Sequence, residues 1–225
     1  MSKISIEELT LNELNQQNDW CDLCRFNTLS EEIMNEFADK VNWYFVCMYQ
    51  NLSENFIEQH QDKVSWYYIS QRQKLSESFI EKHIDKISWP GISEYQKLSE
   101  NFIRKYKKKV DWYYISIFQT LSESFIEEFH NKVNWDHICI NQKLSEEFII
   151  KHKYKINWKL ISNNQKLSEE FIRKYSNKLD WYSISSNQEL SEEFIEEFQD
   201  KVDWSSIFIN QKLSDEFKKK FKKFL

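Results

Sequence analysis

The sequence predicts an all-α fold, an α-solenoid of tandem two-helix repeats. Three observations carry that expectation. Each Trp lies 23 residues from the next, at 20, 43, 66, 89, 112, 135, 158, 181 and 204. Leu-Ser recurs at the same interval, at 29, 52, 75, 98, 121, 144, 167, 190 and 213. The 225 residues include one Gly and one Pro. A fixed period of this length marks a stacked array, whereas sandwiches and barrels need many more turn residues.

The elements follow in order. Residues 1–28 read as an N-terminal cap repeat: Trp20 is in phase, but Ile6-Glu7-Glu8 replaces Leu-Ser-Glu. Residues 29–212 read as eight full repeats. Residues 213–225 read as a C-terminal capping helix, with Lys218 where the repeats carry Ile and then mostly Lys and Phe. A polar outer face is what a terminal cap requires. The whole chain is expected to form one array.

Counting from the Leu as position 1, the unit reads L-S-E-x-F-I-x-x-(H/Y/F)-x-x-K-(V/I/L)-(N/S/D)-W-x-x-I-S-x-x-Q-x. Serine at position 2 is an N-cap for helix A, because its hydroxyl accepts from an orphan N–H of the first turn. Acidic residues follow where the helix dipole favours them. Position 14, occupied by Asn42, Ser65, Ser88, Asp111, Asn134, Asn157, Asp180 and Asp203, caps helix B in the same way. Pairs such as Leu167 with Ile172 and Leu179 with Ile184 have the spacing of hydrophobic staples. Pro90 falls in a first turn, where its missing N–H costs little. Asp or Asn at position 11 (Asp62, Asp85, Asn131, Asn177, Asp200) and Asn at position 21 (Asn141, Asn164, Asn187, Asn210) are expected to end helices in the left-handed conformation.

The inner faces are positions 5, 6, 9 and 13 of helix A and 15, 18, 19 and 22 of helix B, each set at helical spacing. Trp43, Trp66, Trp89, Trp112, Trp135, Trp158, Trp181 and Trp204 belong to this framework, as do Gln73, Gln96, Gln142 and Gln188. An inward-facing Gln needs hydrogen-bond partners. It is expected to bond the next helix start or the neighbouring Gln and so set repeat register.

The motif LSEEFI–K–(V/I)–(N/D)–W–IS–NQ resembles the short helical tandem repeats of proteins from giant DNA viruses of protists and related AT-rich genomes. The resemblance spans about residues 29–217. It implies a viral protein, inside the host cell, of the kind pictured as an interaction scaffold. It brings no catalytic residue and no cofactor.

Composition narrows the function classes. A net charge of −5 argues against a general nucleic-acid binder. Glycine scarcity removes any phosphate-cradling loop. No run of 18 apolar residues occurs and no apolar stretch follows Met1, so neither a membrane span nor a signal peptide is expected and the location is read as cytoplasmic. Cys21-x-x-Cys24 lacks the second half of a zinc or redox motif. Cys24, Cys47 and Cys139 stand at position 19, where other repeats have serines such as Ser70 and Ser93, so they read as structural thiols. His60, His83 and His152 share position 9 with Phe and Tyr and read as partly buried rings. No nucleophile–base pair and no ligand set emerges. The chain is therefore read as a non-enzyme without metal or cofactor.

The functional hint lies in helix B of residues 43–118, in Tyr44, Phe45, Tyr49, Tyr67, Tyr68, Arg72, Tyr95, Tyr113, Tyr114 and Phe118. Equivalent places in later repeats are mostly polar. Tyr, Phe and Arg on variable positions have hot-spot chemistry. Either these residues bind a protein partner or the rings widen the core of the N-terminal half. The alternative function is single-stranded RNA binding, which helical repeats and stacking rings support, with basic stretches at Arg104–Lys109 and Lys218–Lys223.

Overall fold

A computed structural model describes residues 19–224. They form an all-α tandem-repeat solenoid, with no strand among the described residues. The start of the expected N-terminal cap, Ile6-Glu7-Glu8, lies outside them. The chain divides into two compact units, Met1–Ile115 and Ser116–Leu225.

The first unit contains α1 (Trp20–Phe26), α2 (Glu31–Glu36), α3 (Trp43–Tyr49), α4 (Glu54–Gln59), α5 (Trp66–Arg72), α6 (Glu77–Lys82), α7 (Trp89–Tyr95) and α8 (Glu100–Lys105). The division falls within α9 (Trp112–Phe118). The second unit contains α10 (Glu123–Glu128), α11 (Trp135–Asn141), α12 (Glu146–Lys151), α13 (Trp158–Asn164), α14 (Glu169–Tyr175), α15 (Trp181–Asn187), α16 (Glu192–Glu197), α17 (Trp204–Asn210) and α18 (Asp215–Lys220). A 3-10 turn follows at Lys222–Phe224. Odd-numbered helices are the B helices of the repeat and even-numbered ones the A helices. No helix among the described residues is long and apolar enough to cross a membrane.

The helix starts follow from their caps. Ser53 Oγ accepts from Phe56 N–H at 3.1 Å to open α4. Asn134 Oδ1 accepts from His137 N–H at 3.1 Å to open α11. Ser65 and Ser88 hold the cap position in extended backbone without a side-chain cap bond.

The helix ends correct the sequence reading. No non-glycine residue among those described has positive φ, so Asp and Asn at positions 11 and 21 do not stand in for a left-handed glycine. In the A helices the chain stops at the ring of position 9 and turns on that residue's carbonyl. His60 O accepts from Lys63 N–H at 2.8 Å and from Val64 N–H at 3.1 Å. The B helices end on an extended Gln; Gln73 has φ −94° and ψ 151°. Their last carbonyls must therefore find donors elsewhere.

Packing supplies the stability that helices of six or seven residues lack alone. Ile at positions 6 and 18 is wholly buried, as at Ile57, Ile69, Ile80 and Ile92 in the first unit and at Ile172, Ile184, Ile195 and Ile207 in the second. Each such side chain contributes about 1.5–3 kcal/mol of burial. Consecutive B helices stack on one another, α1 on α3, α3 on α5 and α5 on α7; so do α11, α13, α15 and α17.

Candidate partner-binding face

The repeated residues are first occupied in holding neighbouring repeats together. Gln73 lies buried and makes three bonds. Its Oε1 accepts from Leu52 N–H at 2.8 Å, and its Nε2 donates to Cys47 O at 3.1 Å and Gln50 O at 2.8 Å. Gln188 does the same with Leu167 N–H at 3.0 Å, Ser162 O at 3.1 Å and Gln165 O at 2.8 Å. Gln96 and Gln142 repeat the pattern. The side chain thus bonds the neighbouring Gln, through that residue's carbonyl, and reaches back to the turn that precedes its own helix A, not forward to the next helix start. The reason is the missing left-handed cap: the preceding B helix leaves carbonyls that need donors, and one amide supplies them.

Two further devices cross the boundaries between repeats. The Glu31 carboxylate accepts from Ser53 N–H at 2.5 Å and from Ser53 Oγ at 2.9 Å, so position 3 braces the next repeat's N-cap as well as facing its own dipole. Ser70 Oγ accepts from Ser88 N–H at 2.9 Å, while Cys47 Sγ takes the equivalent Ser65 N–H at 3.3 Å. Where another B helix follows, position 19 therefore holds a small acceptor, and a thiol serves; Phe208 takes this position only in the last full repeat.

Lysine at position 12 is a residue whose role sequence reasoning missed. Lys63 Nζ sits 5.8 Å from the Trp43 ring centroid and 3.1 Å from Asp39 Oδ1. Lys201 repeats this over Trp181 at 5.7 Å, with Asn177 Oδ1 at 3.2 Å. A cation over an indole face is attracted by the ring quadrupole. The signal was present in the invariant Lys and in Asp or Asn at position 11, which holds the ammonium instead of ending a helix. The Trp rings are only half-buried at these boundaries; Trp43 stacks on Phe56 at 6.0 Å, and its Nε1 donates to Ala38 O at 2.9 Å.

The other candidate chemistry has structural employment. His83 is buried against Trp66, ring centroids 4.6 Å apart, with Nε2 2.7 Å from Glu58 Oε2. Lys82 and then His83 hold the Glu58 carboxyl below its usual range. His152, Glu127 and Lys151 repeat the arrangement. Burial pushes the Cys139 thiol up to about 11 and raises Cys24 and Cys47. Among the described residues no three His, Cys, Asp or Glu side chains could hold a metal ion. A groove of about 460 Å³ between α10 and α12 is lined by Glu123, Ser124, Glu127, Ser145, Glu147, Phe148 and Lys151; its Ser145 hydroxyl donates to Glu123 Oε2 at 3.1 Å and caps α12 by accepting from Phe148 N–H at 3.1 Å.

The variable positions of helix B separate by position. In the first unit Tyr44, Tyr67 and Tyr113 at position 16, and Tyr49 and Tyr95 at position 21, are 46–55% exposed. Arg72 at position 21 is exposed beside them. Phe118, in the second unit, is exposed too. Phe45 and Tyr68 instead pack on the hydrophobic core, and Tyr114 is half-buried. The core reading therefore applies to Phe45 and Tyr68, while the rings at positions 16 and 21 stay exposed. Position 17 points at the preceding B helix, as Gly91 demonstrates: a β-carbon there would lie 3.0 Å from Gln71 Cγ and 3.3 Å from Ser70 Cβ. Tyr68 joins the two sets, with its hydroxyl 3.0 Å from the Tyr44 hydroxyl and the rings edge to face at 4.9 Å. Comparison with family models, curated proteins and solved structures finds no match to this chain.

Proposed function

We propose that the protein is a non-catalytic repeat scaffold that binds another protein through helix-B positions 16 and 21 of the first unit. One observation carries this reading. The repeated residues are engaged in inter-repeat bonds, whereas Tyr44, Tyr49, Tyr67, Tyr95 and Tyr113 stand about half exposed on variable positions. Tyrosines on short B helices offer large, amphipathic contact area at little conformational cost.

The test is a tagged pull-down from cell lysate, with and without nuclease, using the chain and a Tyr44→Ser, Tyr67→Ser, Tyr113→Ser variant. One protein retained after nuclease by the parent and lost by the variant, with helicity unchanged by circular dichroism, is the expected result. RNA recovered in its place, with proteins lost on nuclease treatment, overturns the reading in favour of single-stranded nucleic-acid binding.

A further inference from the structure

Position 21 of the first unit places Tyr49 on α3, Arg72 on α5 and Tyr95 on α7, one residue per stacked B helix. All three side chains are exposed. Arg72 takes part in none of the described ion pairs, and neither do Lys74 and Lys97, which are exposed just beyond the same helix ends. The Glu94 carboxylate beside Tyr95 raises the pKa of that hydroxyl. The column therefore reads ring, unpaired cation, ring, and it is complementary to a ligand with apolar, anionic and apolar groups at matching intervals.

Stacked helices lie about 8–10 Å apart. A polyproline II segment rises about 3.1 Å per residue with three residues per turn, so every third side chain returns to one line at roughly 9 Å. A strand repeats a face at about 6.6–6.8 Å. Two turns of an α-helix span about 11 Å. The polyproline II repeat fits one ligand turn to each protein repeat. Such a segment is extended before binding, which lowers its ordering cost, and proline-rich ligands dock on aromatic-lined surfaces.

We propose, building on the scaffold reading above, that Tyr49, Arg72 and Tyr95 dock an extended proline-rich segment of a partner protein with the pattern Pro-x-x-(Asp/Glu)-x-x-Pro. The prolines lie on the two tyrosine rings, and the carboxylate meets the Arg72 guanidinium. Arg suits this place because its planar fork donates two N–H bonds to a carboxylate.

The experiment is fluorescence polarisation with the whole chain and three labelled synthetic peptides. One has a Pro-Ser-Ser-Glu-Ser-Ser-Pro core, one carries Lys for Glu, and one carries Ala for both prolines. The Glu peptide is expected to bind saturably. The Lys peptide should bind about tenfold more weakly, because repulsion replaces an attraction that is modest when exposed. The Ala peptide should not bind measurably. An Arg72→Glu variant, folded by circular dichroism, should reverse the preference between the Glu and Lys peptides. Equal binding of those two peptides, absence of binding by all three, or displacement of the Glu peptide by a pyrimidine-rich RNA overturns the proposal. If the peptides fail while a protein is still captured through Tyr44, Tyr67 and Tyr113, this inference falls and the scaffold reading stands. If both fail, both fall.

Discussion

Position 21 differs between the two units while the surrounding framework does not. In the first unit it carries Tyr49, Arg72 and Tyr95, whose side chains face outward. In the second it begins with the exposed ring of Phe118 and then carries Asn141, Asn164, Asn187 and Asn210. Three of the Asn amides turn back on their own helix: Asn141 Nδ2 donates to His137 O at 3.1 Å, Asn164 to Leu160 O at 2.9 Å and Asn210 to Ser206 O at 3.0 Å. Asn187 instead bonds Asn163 Oδ1 of the preceding repeat at 2.9 Å. The four Asn of the second column are satisfied by the protein itself, whereas Tyr49, Arg72 and Tyr95 leave rings and a charge exposed. Gln73 and Gln188 meanwhile make the same three bonds in the two units. The repeat thus separates the residues that hold it together from those that vary its surface.

The largest effect should fall on the part the two units share. Gln73→Ala and Gln188→Ala each strand a buried N–H and two carbonyls, and each should cost about 3–5 kcal/mol. Denaturation followed by tryptophan fluorescence measures both. A clear inequality between them would break the equivalence of the frameworks.

Exchanging the columns comes next. Tyr49→Asn, Arg72→Asn, Tyr95→Asn together should reduce partner binding by more than about tenfold and shift stability by no more than about 1 kcal/mol, since exposed substitutions are mild. The reciprocal set Asn141→Tyr, Asn164→Arg, Asn187→Tyr should leave the fold intact and gain affinity for the Pro-Ser-Ser-Glu-Ser-Ser-Pro peptide. Failure of the graft, despite an intact fold, would show that position 21 is insufficient without the rings at position 16.

A smaller effect, again shared, concerns pH. Glu58 and Glu127 are held below the usual carboxyl range by Lys82 with His83 and by Lys151 with His152. A carboxyl lowered by folding contributes stability above its unfolded pKa and loses it as pH falls through the folded value. Melting temperature should therefore drop as acid enters that range. Glu58→Gln and Glu127→Gln should each flatten the acid limb slightly and to a similar degree.

The smallest effect is kinetic. Exposed Cys21 should react with a thiol reagent at neutral pH, whereas buried Cys24, Cys47 and Cys139 should stay unlabelled until unfolding. Mass spectrometry after brief labelling reads this directly. Early labelling of Cys47 but not Cys139 would reveal a difference in local opening between the units.

Much of the fold was legible in the sequence. Ser53 and Asn134 identify helix starts because a capping oxygen acts within its own turn. Ile57 and Ile69 identify the core because apolar residues at helical spacing share a face. The direction of the Gln73 bonds was not legible, nor was the Lys63 seat over Trp43, because each partner lies about one repeat away in the chain. The candidate face was legible only as a set. Sequence spacing placed Tyr67 and Tyr68 together, whereas neighbouring helices leave Tyr67 exposed and draw Tyr68 onto the core.

Sequence alone determined the period, the two-helix unit, the helix starts and the residue types lining the interior, because each depends on interactions within a turn or two of backbone. Tertiary structure decided how helices end without glycine, which invariant side chains bridge repeats and which aromatic rings remain outside. Those outcomes depend on what the adjacent repeat presents. A carbonyl finds its donor, and a ring its cover, only once the neighbour has stacked.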